Sequence, residues 1–156
     1  MAPGQDILAA VAPPGNAGKD FDIYSGTSMS TPHVAGLGAL LSEAHPDWSP
    51  AAMRSALATT ADALSRPGLN LPFNTGSGHV RPNLAIDPGL VYDAGFGDYL
   101  SFLKGQGLIG NPVQAVDASD LNQPSLAVGD LAGVQTLRRT VRNVGGSSAK
   151  IGRAHV

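Results

Sequence analysis

Hydrophobic positions along this chain fall into blocks of changing period, and each block predicts an element. Asp6-Ile7-Leu8-Ala9-Ala10-Val11-Ala12 is a short apolar run between the turn signals Ala2-Pro3-Gly4 and Pro13-Pro14-Gly15. A run of that length between such signals predicts a short, largely buried strand. Residues 15–20 read as loop, and Phe21, Ile23 and Tyr24 as a short extended approach to a second loop around Ser28. From Val34 to Ala44 almost every side chain is apolar or small. A helix apolar on all sides is expected to be buried. Pro32 then belongs near its first turn, because an interior proline costs about 3 kcal/mol. Gly36 and Gly38 weaken a helix, which predicts close packing against a neighbour at both. The helix is expected to end before His45-Pro46.

Ser49-Pro50 predicts a second helix, with Ser49 as N-cap and Pro50 as the first helical residue. Met53, Leu57 and Thr60–Ala61 recur at helical spacing and mark its core face. Residues 65–78, rich in Pro, Gly, Asn and Ser, read as loop. Gly76 to Val80 gives a short extended piece, Pro82 to Ile86 a single helical turn, and Asp87-Pro88-Gly89 a turn. Residues 89–117 read as a connector. It contains one amphipathic helix, Asp98 to Leu103, with Tyr99, Phe102 and Leu103 as its apolar face. From about Leu121 strand character rises. Residues 125–128 and 136–144 flank the turn-like Gly129 to Gly133 and predict a hairpin. Two or three strands cannot close a sandwich, so this second unit reads as cut off. Ile151 to Val156 continues no strand pattern and reads as an artefactual tail.

Composition adds mainly exclusions. With 156 residues the chain suits one ordinary domain or parts of two. Charged residues are 14% and the net charge is −2, so nothing draws it to nucleic acid or to an anionic membrane. Arg138, Arg139 and Arg142 form the one basic cluster. Without interleaved aromatics it reads as a solvated strand face. No cysteine is present, which removes disulfides, thiol nucleophiles and cysteine metal sites. His33, His45, His79 and His155 share no metal-ligand spacing, and the aspartates form no calcium loop, so neither metal nor cofactor is expected. His45 reads as an exposed helix-end residue, and His79 as a packing or hydrogen-bonding residue. No apolar run is long enough to span a bilayer.

The candidate chemistry lies in Ile23-Tyr24-Ser25-Gly26-Thr27-Ser28-Met29-Ser30-Thr31-Pro32-His33. This is a small, glycine-punctuated loop running into the apolar helix. A serine there is exposed, held on a rigid element and next to the positive end of a helix. A nucleophilic hydroxyl needs those conditions. A plain helix N-cap meets them equally, and spacing alone favours the cap.

The run Gly26 to Gly36 closely resembles the nucleophile motif of subtilisin-like serine proteases, the subtilases. The resemblance extends on both sides. Ala2-Pro3-Gly4-x-x-Ile7-Leu8 looks like the strand that precedes the motif. Pro46-x-x-Ser49-Pro50-x-x-Met53-Arg54-x-x-Leu57 looks like the helix that comes after it. Gly76-Ser77-Gly78-His79-Val80 and Asp87-Pro88-Gly89-Leu90-Val91-Tyr92-Asp93 resemble the cucumisin-like branch. Asp120-Leu121-Asn122-x-Pro124-Ser125 and Arg139-Thr140-Val141-x-Asn143-Val144-Gly145 resemble the start of that branch's fibronectin type III-like domain. The resemblance covers roughly residues 2–149, with no large gap.

It implies an α/β fold: the C-terminal part of a subtilisin-like parallel-sheet catalytic domain, followed by the start of an all-β sandwich. The division expected is 1–93 for the peptidase part, 94–120 for the connector, 121–150 for the truncated fibronectin type III-like part and 151–156 for the tail. Tyr92, Tyr99 and Phe102 would anchor the two parts together. Ser28 would be the nucleophile of a secreted serine endopeptidase acting on protein or peptide substrates. Its backbone N–H would be an oxyanion donor, with Thr27 adding a hydroxyl, Ser25 beside the substrate path and Met29 next to the nucleophile. His33 would be structural. In subtilisin the triad runs Asp, His, Ser along the chain. Before Ser28 stand only Asp6, Asp20 and Asp22, and no histidine. By itself the chain is expected to be inactive. The alternative is a non-catalytic interaction module.

Overall fold

The computed structural model describes residues 1–64, 71–110 and 112–149. The expected artefactual tail lies outside these residues, as does part of the 65–78 loop. Strand β1 (Ile7–Ala10) pairs antiparallel with β2 (Phe21–Tyr24), from Ile7 opposite Tyr24 to Ala10 opposite Phe21. The connection turns through a 3-10 segment at Pro13–Gly15, where Asn16 and Gly18 both donate to Pro13 O. Helix α1 (Thr27–Ala44) comes at once, then α2 (Pro50–Thr59). Two short helices, α3 (Leu71–Thr75) and α4 (Pro82–Ala85), lead to β3 (Leu90–Tyr92) and α5 (Phe96–Gly105). Strand β4 (Val141–Asn143) closes the order by pairing antiparallel with β3. The molecule is therefore a mixture of helix and sheet, compatible with the α/β class.

Several elements form for the reasons their sequence gives. Ser49 caps α2, its Oγ accepting from Ala52 N at 3.0 Å, and Pro50 takes the first helical position, where no N–H is needed. Helix α5 is two residues longer at each end than its apolar stripe, because Asp98 Oδ2 accepts from Gly95 N at 2.7 Å and fixes its start. Residues 71–75 read as loop by composition and instead make α3.

The core is small and lies between α2 and β3. Trp48, Ala52, Ala56 and Val91 form one buried cluster, with Met53 and Val144 packed on its edge. Ser55 is fully buried beside it, and its Oγ accepts from Tyr92 N at 2.9 Å. His45 is not an exposed helix end. Its ring stacks on Trp48 at 3.9 Å, and Nε2 donates to Ile86 O at 2.7 Å. A carbonyl only accepts, so Nε2 carries the proton.

The sheet differs from expectation. Both named strand pairs are antiparallel. No parallel strand pair occurs among the described residues; Met1 is tied to the 78–80 segment, its ammonium donating to Gly78 O and its carbonyl accepting from Val80 N at 2.9 Å. Residues 125–128 form no strand, so the expected hairpin is not made. Its second half pairs instead with β3. The physical reason is Arg139. Its guanidinium donates to the carbonyls of Ser119, Gln123, Ser125 and Arg138 and gathers residues 119–125 around itself. Asn122 adds a second tie, bonding Asp93 O and both backbone groups of Thr140. The arginine cluster is thus more than a solvated face: Arg139 is half-buried, and Arg142 pairs with Asp93 at 3.2 Å and Asp47 at 3.6 Å.

Helix α1 departs most from expectation. It is apolar all round, yet only Leu41 is buried, and Leu40 is 62% exposed. A Cβ added at Gly36 or Gly38 would meet nothing within 4 Å. The neighbour predicted for these glycines is not among the described residues. The helix also starts earlier than its apolar run, so Pro32 falls in its second turn. The added turn is built from hydroxyls: Ser30 Oγ and Thr31 Oγ1 both donate to Thr27 O, at 3.0 and 2.8 Å.

Candidate active site around Ser28

Three local features deliver Ser28 to its position. Strand β2 ends at Tyr24, whose hydroxyl donates to Asn16 Oδ1 at 2.5 Å. Gly26 then turns the chain with φ 155° and ψ 171°, a backbone that favours glycine. Gly26 N donates to Gly4 O at 2.7 Å, which ties the turn to the segment before β1. No side chain fits there: a Cβ on Gly4 would stand 2.7 Å from Gly26 O.

Thr27 opens α1 and Ser28 is its second residue. Ser28 is exposed, and its hydroxyl makes no hydrogen bond among the described residues. The helical N-cap position belongs to Gly26, which has no side chain to cap with. The plain N-cap reading of Ser28 therefore fails. The first N–H groups of a helix have no intrahelical partner and present partial positive charge. Ser28 stands in that first turn and lines a groove together with Ile7, Leu8, Ala9, Met29, Pro32 and His33.

The remaining expected site residues surround it in different ways. Thr27 accepts two hydroxyls on its carbonyl, and its own side chain is exposed. Met29 is half-buried next to Ser28, and its N–H donates to Gly26 O at 3.1 Å. Ser25 is engaged by Asp6: Ser25 Oγ accepts from Asp6 N at 2.8 Å and donates to Asp6 Oδ1 at 3.1 Å. Sequence reasoning misses this role of Asp6, since nothing local marks its left-handed backbone.

Among the described residues no histidine is bonded to Ser28. His33 donates from Nδ1 to Met29 O at 2.8 Å, one turn back on α1, so its ring is held in a structural contact. His45 is committed to Ile86 O, and His79 bonds Val80 O at 3.1 Å. The backbone of His79 makes a two-bond bridge with Asp62. No group of three His, Cys, Asp or Glu side chains that could hold a metal ion occurs among the described residues.

A family model described as the subtilase family matches residues 1–78, half of the chain and the half that carries Ser28. The chain belongs to the subtilase family. Its relatives include subtilisin-like protease SBT2.5 of Arabidopsis thaliana, 41% identical over 177 residues, covering 92% of this chain and 22% of the relative. SBT3.15 of the same plant is 44% identical over 169 residues, with 92% and 22% covered. A subtilisin-like protease of Glycine max, Glyma18g48580, is 42% identical over 176 residues, again with 92% and 22% covered. This subtilase chain thus spans about a fifth of the length of these relatives. The aligned stretches are longer than the chain itself, so the relatives carry segments with no counterpart here.

Proposed function

We propose that Ser28 is the nucleophile of a serine endopeptidase. The carrying observation is its placement: an exposed hydroxyl, free of hydrogen bonds among the described residues, second in an 18-residue helix and fixed by the Gly4–Gly26 bond. In this reading Ser28 Oγ attacks the scissile carbonyl as a histidine takes its proton. The Ser28 N–H and the helix N-terminus stabilise the oxyanion, with the Thr27 hydroxyl beside them. The amine leaves, and water then releases the acyl group from Ser28. The substrates are proteins or peptides in the extracellular space. Neither nucleic acid nor membrane takes part. No helix of the described residues is long and apolar enough to cross a membrane.

The histidine and aspartate of this mechanism come from polypeptide outside these residues. Helix α1 supports that reading, because its apolar sides and its two open glycines are the surface of a helix meant to be enclosed. The 156 residues therefore supply the nucleophile, the connector and the first part of a fibronectin type III-like unit, and are inactive alone.

The test joins this chain behind the preceding catalytic portion of SBT2.5 and monitors hydrolysis of a peptide amide. The joined protein is expected to turn over substrate, and Ser28→Ala to lower kcat by about 10⁶-fold, as removal of the serine does in subtilisin. Turnover that survives Ser28→Ala sinks the assignment.

A further inference from the structure

The Ser28 loop contains a restraint that uses two side chains from outside the reacting groups. Asp6 lies immediately before β1 with φ 53°, a left-handed backbone that few non-glycine residues adopt. That conformation sets Asp6 N against Ser25 Oγ at 2.8 Å, while the Ser25 hydroxyl donates its proton to Asp6 Oδ1 at 3.1 Å. The exchange is reciprocal: one hydroxyl, one amide and one carboxylate oxygen satisfy each other. Two residues earlier, Gly4 O accepts from Gly26 N at 2.7 Å. The two ties hold consecutive residues, Ser25 and Gly26, directly before α1 begins.

Gly26 is the joint between β2 and α1, and its backbone is the freest in this segment. With only the Gly4 tie, the chain would pivot there, and α1 would leave β2 over a range of directions. The Asp6–Ser25 pair removes that freedom from the adjoining residue.

We propose that Asp6 is a positioning residue for Ser28, acting through the Ser25 hydroxyl. This rests on the reading of Ser28 as nucleophile only for the purpose of the restraint; the restraint itself stands on the bonds.

Amide hydrogen exchange in the 156-residue chain tests it. The reporters are Gly26 N, bonded to Gly4 O, and Met29 N, bonded to Gly26 O. Exchange at Met53 and Thr60 in and after α2 serves as the internal standard. Ser25→Ala and Asp6→Gly are expected to speed exchange at Gly26 and Met29 about five- to tenfold relative to that standard, the equivalent of one lost hydrogen bond. Ser25→Thr keeps the hydroxyl and Asp6→Asn keeps an acceptor oxygen, so both are expected to stay within about twofold of the wild type. Wild-type ratios in Ser25→Ala would overturn the proposal. So would wild-type ratios in Asp6→Gly, because the carboxylate oxygen would then not be what holds the loop. The exchange ratios do not depend on whether Ser28 reacts, which the turnover test decides separately.

Discussion

Replacing Ser55 by alanine tests whether the α2–β3 contact carries this chain's stability. Ser55 is fully buried, and its Oγ accepts from Tyr92 N at 2.9 Å. Alanine keeps Cβ and the packing around it, but leaves the Tyr92 N–H without an acceptor in a dry interface. An unsatisfied buried donor costs about 1–3 kcal/mol. Alanine is the better helix former by up to about 0.5 kcal/mol, which offsets a part. The net loss is about 1.5 kcal/mol, a large share of the stability of a small domain. Trp48 is the chain's one tryptophan and sits in the adjoining cluster, so its fluorescence reports unfolding of this region directly. With a urea slope of about 1.5 kcal/mol/M, the midpoint falls by about 1 M at unchanged slope. The exposed Ser28, changed to alanine in the same assay, is expected to move stability by less than about 0.5 kcal/mol. A shift below about 0.2 M for Ser55→Ala would refute the reasoning. It would mean that Tyr92 N finds another partner or that β3 is not held by α2.

Gly78→Ala is expected to destabilise by about 3 kcal/mol, read as a lowered Tm. Gly78 has φ 112°, and a Cβ there would stand 1.9 Å from Asp62 O, in the path of the Asp62–His79 bridge. Arg139→Lys replaces a planar fork by a point charge that cannot reach four carbonyls. A loss of about 1–2 kcal/mol and faster proteolysis within residues 119–125 are expected. Asp117 has its pKa lowered by the Ser119 hydroxyl, then the Ser119 amide, with Gln135 assisting. Asp22 is lowered by the Ile23 amide, then by Lys19. Such carboxylates favour the fold above the ordinary carboxyl range, and that contribution disappears as pH falls through their lowered midpoints. Carbon-detected NMR titration is expected to place both midpoints below those of the unfolded chain. Ser119→Ala should raise the Asp117 midpoint.

What the sequence disclosed divides along physical lines. Features written by neighbours in sequence were legible: the Ser49-Pro50 start of α2, the positions of β1 and β2, the Pro82 turn and the exposed Ser28 at a helix start; β1, expected to be largely buried, is instead mostly exposed, because the described residues put only β2 against it. Features that depend on distant partners were not. β4 pairs with β3 about fifty residues away, and its own local pattern pointed to 125–128 instead. The signal that could have warned against the hairpin is the Arg139 and Asn122 pair, whose polar groups need backbone partners when half-buried. His45 looked solvent-facing because its bond to Ile86 O joins residues far apart in the chain. Helix α1 shows a different limit. Its apolar composition states what surroundings it requires, and the described residues supply only part of them. At the candidate site, eleven consecutive residues, Gly26 to Gly36, made the family legible and Ser28 the candidate nucleophile. The Asp6–Ser25 restraint was not, since a left-handed aspartate leaves no local mark.

The most direct test of the central claim is the location of a covalent adduct. A serine-directed fluorophosphonate is applied to the chain joined behind the preceding catalytic portion of SBT2.5, and the modified residue is found by tandem mass spectrometry. The expected result is a single adduct on Ser28 within the tryptic segment 20–54, absent from Ser28→Ala and absent from the 156-residue chain alone. An adduct on another serine of that segment, or equal labelling of Ser28→Ala, would contradict the account.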